Sequence, residues 1–242
     1  VLTLHHFAPT GEARDNLLRE GIPSDRIHVT GNTAVDALEW AADVPHEPRN
    51  EDLRRALGSD HRLVLLTAHR RESFGGPLRE VFSAVRELVD QTRDLEVLYP
   101  VHPNPQVLEP AKELLSNHPR IRLTEPLDYL DLVSALKHAH LVLTDSGGIQ
   151  EEAPTFGAPV LVLREATERP EGIAAGVARL VGTQRDRILG EAQALLTPQV
   201  GRDADGTPHN PYGDGLAGER IADIVVSSLT GRTRETRDWD GP

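Results

Sequence analysis

Short apolar runs alternate with stretches of three- and four-residue apolar spacing along almost the whole chain, and no other feature restricts its fold so strongly. A run such as Leu63-Val64-Leu65-Leu66 lacks polar alternation, which is the pattern of a strand covered on both faces. The strands expected on this basis are Val1 to Phe7, Arg62 to Thr67, Leu95 to Val101, Ile121 to Leu123, His140 to Thr144, Pro159 to Leu163 and Ala178 to Val181. Between them lie helical patterns, clearest at Leu78, Val81, Phe82, Val85, Leu88 and Val89, and repeated at Leu130, Val133 and Leu136 and at Ile188, Ala192, Leu195 and Leu196. Strands that alternate with helices in this way build a parallel sheet with helices on both faces, an α/β, Rossmann-like doubly wound domain.

Composition narrows the function. The formal charge of −12 argues against a nucleic-acid partner, whose backbone calls for clustered cations. No apolar run approaches the roughly 20 residues that cross a bilayer, so no membrane partner is expected. The chain has no cysteine, which removes disulfides, thiolate nucleophiles and cysteine-bound metals and fits a cytoplasmic location. No metal-ligand spacing stands out; neither a metal nor a cofactor is expected. There is no methionine, and the chain begins abruptly in the apolar run Val1-Leu2-Thr3-Leu4, as a piece of a longer folded protein would.

Four regions are expected. Residues 1–32 hold a strand, a helix over Gly11 to Glu20 and the turn Val29-Thr30-Gly31-Asn32, the closing unit of a preceding domain with its linker. Residues 33–210 form the doubly wound domain. Residues 211–230 carry a closing helix around Ile221 to Leu229, and the charged residues 231–242 read as a flexible tail.

Polar clusters follow five of the strands: Thr67 to Glu72, Tyr99 to Pro105, Thr124 to Leu127, Asp145 to Glu152 and Arg164 to Pro170. In an open α/β sheet ligands bind beyond the carboxyl ends of the strands, so this convergence outweighs any single motif. The most telling cluster is DSGGIQEEAP, residues 145–154. A strand-to-helix turn through Ser146, Gly147 and Gly148 offers backbone N–H groups at the positive end of a helix dipole, a place to hold phosphate. Glu152, one turn on, can accept hydrogen bonds from sugar hydroxyls. His69 beside Arg70 and Arg71 makes an anion-friendly corner. Blander readings remain open: a Ser-Gly-Gly turn is often only a tight connection, His102 between two prolines can simply stiffen a loop, and Glu151 and Glu152 can serve as first-turn helix carboxylates.

The stretches HFAPT (6–10), TGNTAVDAL (30–38), HRRESFG (69–75), YPVHPNP (99–105), EPLDYLDLV (125–133), TDSGGIQEEAP (144–154), TERPE (167–171) and NPYGDG (210–215) together resemble the non-hydrolysing UDP-N-acetylglucosamine 2-epimerases. The resemblance implies the C-terminal half of a glycosyltransferase-B type fold, with UDP-GlcNAc and UDP-ManNAc interconverted by elimination and re-addition of UDP. Carried over by motif, His69 would lie near the substrate phosphates and serve catalysis. Ser146, Gly147 and Gly148 would form the phosphate turn, Glu152 would take the ribose, Arg169 would enter the nucleotide pocket, and Leu127 and Leu132 would line the uracil site. His102 matches a histidine that touches a second, regulatory UDP-sugar in some members. The family's proton-transfer carboxylates belong to motifs absent from this chain, so UDP binding without epimerisation is expected of these residues alone, and a homodimer of the intact enzyme. A hydrolysing epimerase that releases ManNAc and a non-catalytic UDP-sugar-binding module are the alternatives.

Overall fold

A computed structural model describes residues 3–197 and 210–241. The main body is a six-stranded sheet made of β3 (Arg62–Thr67), β4 (Leu95–Pro100), β5 (Ile121–Thr124), β6 (Ala139–Thr144), β7 (Val160–Val162) and β8 (Ala178–Leu180). Every neighbouring pair is parallel and the order is β5-β4-β3-β6-β7-β8. Counted from β3, this is the 3-2-1-4-5-6 order of a doubly wound dinucleotide-type sheet. The expected strands of this sheet are all present, with ends moved by at most one residue.

The pleat sends alternate residues of each strand to opposite faces. Val64, Leu66, Val97, Tyr99, Leu141 and Leu143 join one buried cluster with α4 (Gly76–Gln91), α5 (Pro105–Leu115) and α9 (Arg185–Leu196). Leu63, Leu65, Leu98, Val142, Val160 and Val162 join another with α2 (Thr33–Asp43), α3 (Glu51–Leu57) and α6 (Tyr129–His138). Four of these helices start at a side chain that caps them. Asn32 accepts from the Ala34 N–H, Asn50 from Leu53, Asn104 from Gln106 and Asp128 from Asp131, satisfying amides that have no intrahelical partner.

The first unit differs from expectation. Its strand β1 spans only His6–Ala8 and pairs in parallel with β2 (Ile27–Val29), a strand the sequence reading missed. A three-residue partner cannot extend the ladder, so Leu4 lies outside it and is 61% exposed; Val1 and Leu2 fall outside the described residues. Helix α1 (Gly11–Arg19) joins the two strands. The expected turn at 29–32 is instead the end of β2 followed by the cap of α2.

The closing helix α10 (Ala217–Thr230) packs on α2, where Asp36 accepts the Ala217 and Gly218 N–H groups. The residues after it, expected to be a flexible tail, are docked. Asp223 on α10 accepts the backbone N–H groups of Glu235 and Thr236 and the Thr236 hydroxyl. The Trp239 N–H donates to the Val29 carbonyl at 2.8 Å, and its indole is buried. Polar side-chain and backbone groups spread over a charged tail offer no apolar periodicity to read. The contacts lie far apart in sequence, and Pro242 falls outside the described residues.

Candidate functional site

Strands β3 and β6 are neighbours, yet the chain leaves them toward opposite faces: α4 follows β3 into the first buried cluster, whereas α7 (Gly147–Glu152) follows β6 and buries Ile149 in the second. The two connections diverge and open a crevice at the carboxyl edge, the topological switch point where doubly wound sheets hold ligands. The floor is polar. The Thr67 and Thr144 hydroxyls meet at 2.6 Å, and the Ser146 N–H donates to the Thr144 hydroxyl at 2.9 Å.

Asp145 organises the crevice. It is 1% exposed, and its Oδ2 accepts the backbone N–H groups of His69 and Arg70, each at 2.7 Å. The Arg70 Nε donates to the Asp145 carbonyl at 3.1 Å, which lays the arginine across the turn. Ser146, the cap residue of α7, makes no side-chain capping bond, so no side chain claims the first-turn amides of Gly147 and Gly148.

Two cations converge over this turn. A Cβ added at Gly147 would lie 3.8 Å from Arg169 Nη2 and 3.9 Å from Arg70 Nη2. Arg169 is steered there by Glu151, which its Nε contacts directly, while Asn32 Nδ2 donates to the other Glu151 oxygen at 2.7 Å. The Arg169 N–H donates to the Thr167 hydroxyl, which in turn donates to buried Gln150 at 2.6 Å. Two guanidiniums, uncapped amides and a glycine without side-chain bulk can receive a diphosphate with several charge-assisted bonds at once.

The expected site residues distribute around this point. Ser146, Gly147, Gly148 and Arg169 come together. A Cβ on Gly148 would stand 3.8 Å from Glu152 Oε1, so Glu152 flanks the same turn. Burial, then the charge of Glu151, raises the Glu152 carboxyl above its ordinary range. His69 stacks on His102 with ring centroids 5.4 Å apart and planes 7° from parallel; the two histidines therefore share one rim. Leu127 and Leu132 are half-buried and pack against the second cluster with Ile149 and Ala153. Between them Tyr129, 46% exposed, lies close enough for the Glu152 charge to raise its phenol, after the larger effect of burial.

Sequence reasoning passed over Asp145 and Asn32, weighed Glu151 only as a first-turn helix carboxylate, and did not single out Arg70 from Arg71. Only the fold separates that pair: Arg70 reaches back to the turn after β6, whereas Arg71 opens a short 3-10 turn and is exposed. A cavity of about 400 Å³ adjoins Arg169, bordered by Thr10, Asn16, Glu151, Glu171 and Tyr212. Here the first unit meets the sheet edge, through the Thr10 hydroxyl donating to Glu171 at 2.5 Å. Elsewhere, His46, Asp128 and Asp131 bring ligand atoms within 4.8 Å of one another. Their bonds are internal: Asp131 accepts from the Arg49 and Asn50 N–H groups and contacts His46, and Asp128 caps α6.

Known proteins match this chain in sequence and in architecture. The sequence model of the family described as UDP-N-acetylglucosamine 2-epimerase covers residues 1–226. The UDP-N-acetylglucosamine 2-epimerase of Yersinia pestis is 47% identical over 91% of this chain and 60% of its own length. The S. aureus MnaA structure with UDP superposes with a TM-score of 0.86 at 43% identity, covering 98% of this chain and 64% of that one. A UDP-GlcNAc 2-epimerase from Neisseria meningitidis, bound to UDP-GlcNAc, gives 0.80 at 37% identity, covering 95% and 62%. The chain thus spans about three fifths of the length of the relatives it matches. With the family model reaching from the first residue into α10, the chain belongs to the UDP-N-acetylglucosamine 2-epimerase family.

Proposed function

We propose that this chain supplies the UDP-binding part of a non-hydrolysing UDP-GlcNAc 2-epimerase, and that the intact protein is a homodimer. The observation that carries the reading is the meeting of Arg70 and Arg169 over Gly147 at the switch point. In the reaction proposed, a base removes the C2 proton of the sugar as the C1–oxygen bond breaks. UDP leaves with that bond's electron pair, and 2-acetamidoglucal remains. UDP then adds back to C1 while C2 takes a proton on its other face, giving UDP-ManNAc.

The leaving diphosphate gains charge as the bond breaks, and preorganised donors aimed at that charge lower the barrier. Arg70, Arg169 and the amides opening α7 are placed for that work, with His69 at the rim. Glu152 would hold the ribose, and Leu127 and Leu132, beside Tyr129, would border the base. Proton transfer at C2 calls for positioned carboxylates, which the family draws from motifs this sequence does not contain. The 242 residues alone are therefore expected to bind UDP without epimerising UDP-GlcNAc; turnover by them would overturn that part.

Calorimetry with UDP tests the pocket. Ser146→Trp would fill the turn and abolish the binding heat; undiminished affinity would remove the proposed site. Glu152→Ala should weaken UDP by roughly tenfold, the scale of a lost charge-assisted hydrogen bond, and leave pyrophosphate affinity nearly unchanged. Equal losses for both ligands would show that Glu152 does not serve the ribose.

A further inference from the structure

We propose that Asp145 is a positioning residue for His69, fixing the neutral imidazole as the Nδ1–H tautomer and leaving Nε2 as the nitrogen that meets substrate. Asp145 uses one carboxylate oxygen for the His69 and Arg70 backbone N–H groups. The other, Oδ1, is buried with no hydrogen-bond partner. It lies 3.6 Å from His69 Nδ1. An ionised carboxylate is an acceptor at both oxygens, and a buried acceptor left unpaired costs free energy.

Of the possible states of the ring, only those with a proton on Nδ1 offer that oxygen a donor. The Nε2–H tautomer would set two lone pairs against each other, and a ring flipped by 180° would present Cδ2–H instead. Tyr99, whose phenol the Asp145 charge reaches, is committed elsewhere: its hydroxyl donates to the Ala68 carbonyl at 2.6 Å. The separation of 3.6 Å is longer than a hydrogen bond, and contacts of this kind commonly tighten when a ligand arrives. Because the same carboxylate anchors the His69 backbone and faces its ring, main chain and imidazole are held by one group. A proton taken up from solvent at Nε2 as the diphosphate binds would make the ring a cation between two anions. That last role rests on the function proposed above; the tautomer does not.

The test is nitrogen-15 spectroscopy of the histidine rings in the 242-residue protein at pH 8.5, well above the ordinary histidine range, with His69 assigned by its loss in His69→Gln. A protonated Nδ1 and an unprotonated Nε2 are expected for His69. Asp145→Asn keeps an oxygen for the two backbone N–H groups and turns an NH₂ toward Nδ1, so the two nitrogen shifts should exchange. UDP affinity should fall roughly tenfold in that variant, the scale of one charge-assisted bond. An Nε2–H ring in the wild type overturns the inference, as does an unchanged tautomer in Asp145→Asn. The wild-type spectrum decides the tautomer even if that variant fails to fold. Absence of UDP binding together with an Nδ1–H ring would instead count against the functional reading and leave the positioning role standing.

Discussion

The two edges of the six-stranded sheet are built from the same residue types and put them to opposite uses. At the amino edge the charged groups are tied off. Glu96, 2% exposed, is held by Arg122 and lies 3.8 Å from His61. Arg120 donates to the carbonyls of Val89, Thr92, Arg93 and Leu95. Arg62 binds Asp94 at 2.8 Å and the Leu196 carbonyl at 2.5 Å. At the carboxyl edge, α7 starts without a side-chain cap, and Arg70 spends a single side-chain donor on the protein. A buried polar group that is fully bonded holds the fold together, and one left short of partners keeps capacity for a ligand.

The contrast breaks most readily at Arg122. Arg122→Met strands the buried Glu96 charge, and removing one partner of such a pair costs about 3 kcal/mol. The urea midpoint should drop accordingly while the folded protein keeps its UDP affinity; a matching loss of affinity would erase the distinction between the edges. Arg70→Ala should do the reverse. UDP affinity should fall roughly 10- to 100-fold, the scale of a lost charge-assisted contact to phosphate, with the urea midpoint little changed. A large fall in the midpoint would assign Arg70 to the scaffold.

The smallest effect concerns the docked tail, which is tied as tightly as the amino edge yet lies outside the sheet. Hydrogen bonds from the Thr236 and Glu235 backbone lower the Asp223 carboxyl to about 2. A carboxyl depressed by folding stabilises the docked state above its ordinary value, near 4, and loses that contribution as pH falls through the folded value. Hydrogen exchange at the Glu235 and Thr236 amides should therefore lose protection between about pH 4 and 2, ahead of the sheet. Protection that persists to the lower limit would mean that Asp223 does not hold the tail.

Much of this was written in the chain. Runs such as Leu63 to Leu66 and Leu141 to Leu143 are apolar on both faces because helices cover both, so the strands of this sheet could be read with errors of at most one residue. Polar clusters behind them located the site to one edge. What escaped depends on distance along the sequence. Ile27–Val29 is too short to have a period, and its status as a strand comes from β1, about twenty residues earlier. Asp145 looked like one letter of a glycine-rich turn, because its partners His69 and Arg70 are brought beside it only by the pairing of β3 with β6. Arg70 and Arg71 are chemically equal until the turn after β3 aims one inward. The tail is charged throughout, and its attachment rests on a carboxylate in α10 and a carbonyl in β2.

That attachment has an optical consequence. The chain contains two tryptophans: Trp40 on α2 is 73% exposed, and Trp239 at the end of the docked segment is 8% exposed. Emission from the whole protein is then a sum of one indole in water and one in a dry environment. With Trp40 replaced by phenylalanine, the remaining signal would come from Trp239 alone, so the colour of a single fluorophore would report whether the segment around Asp238 and Trp239 is seated on β2.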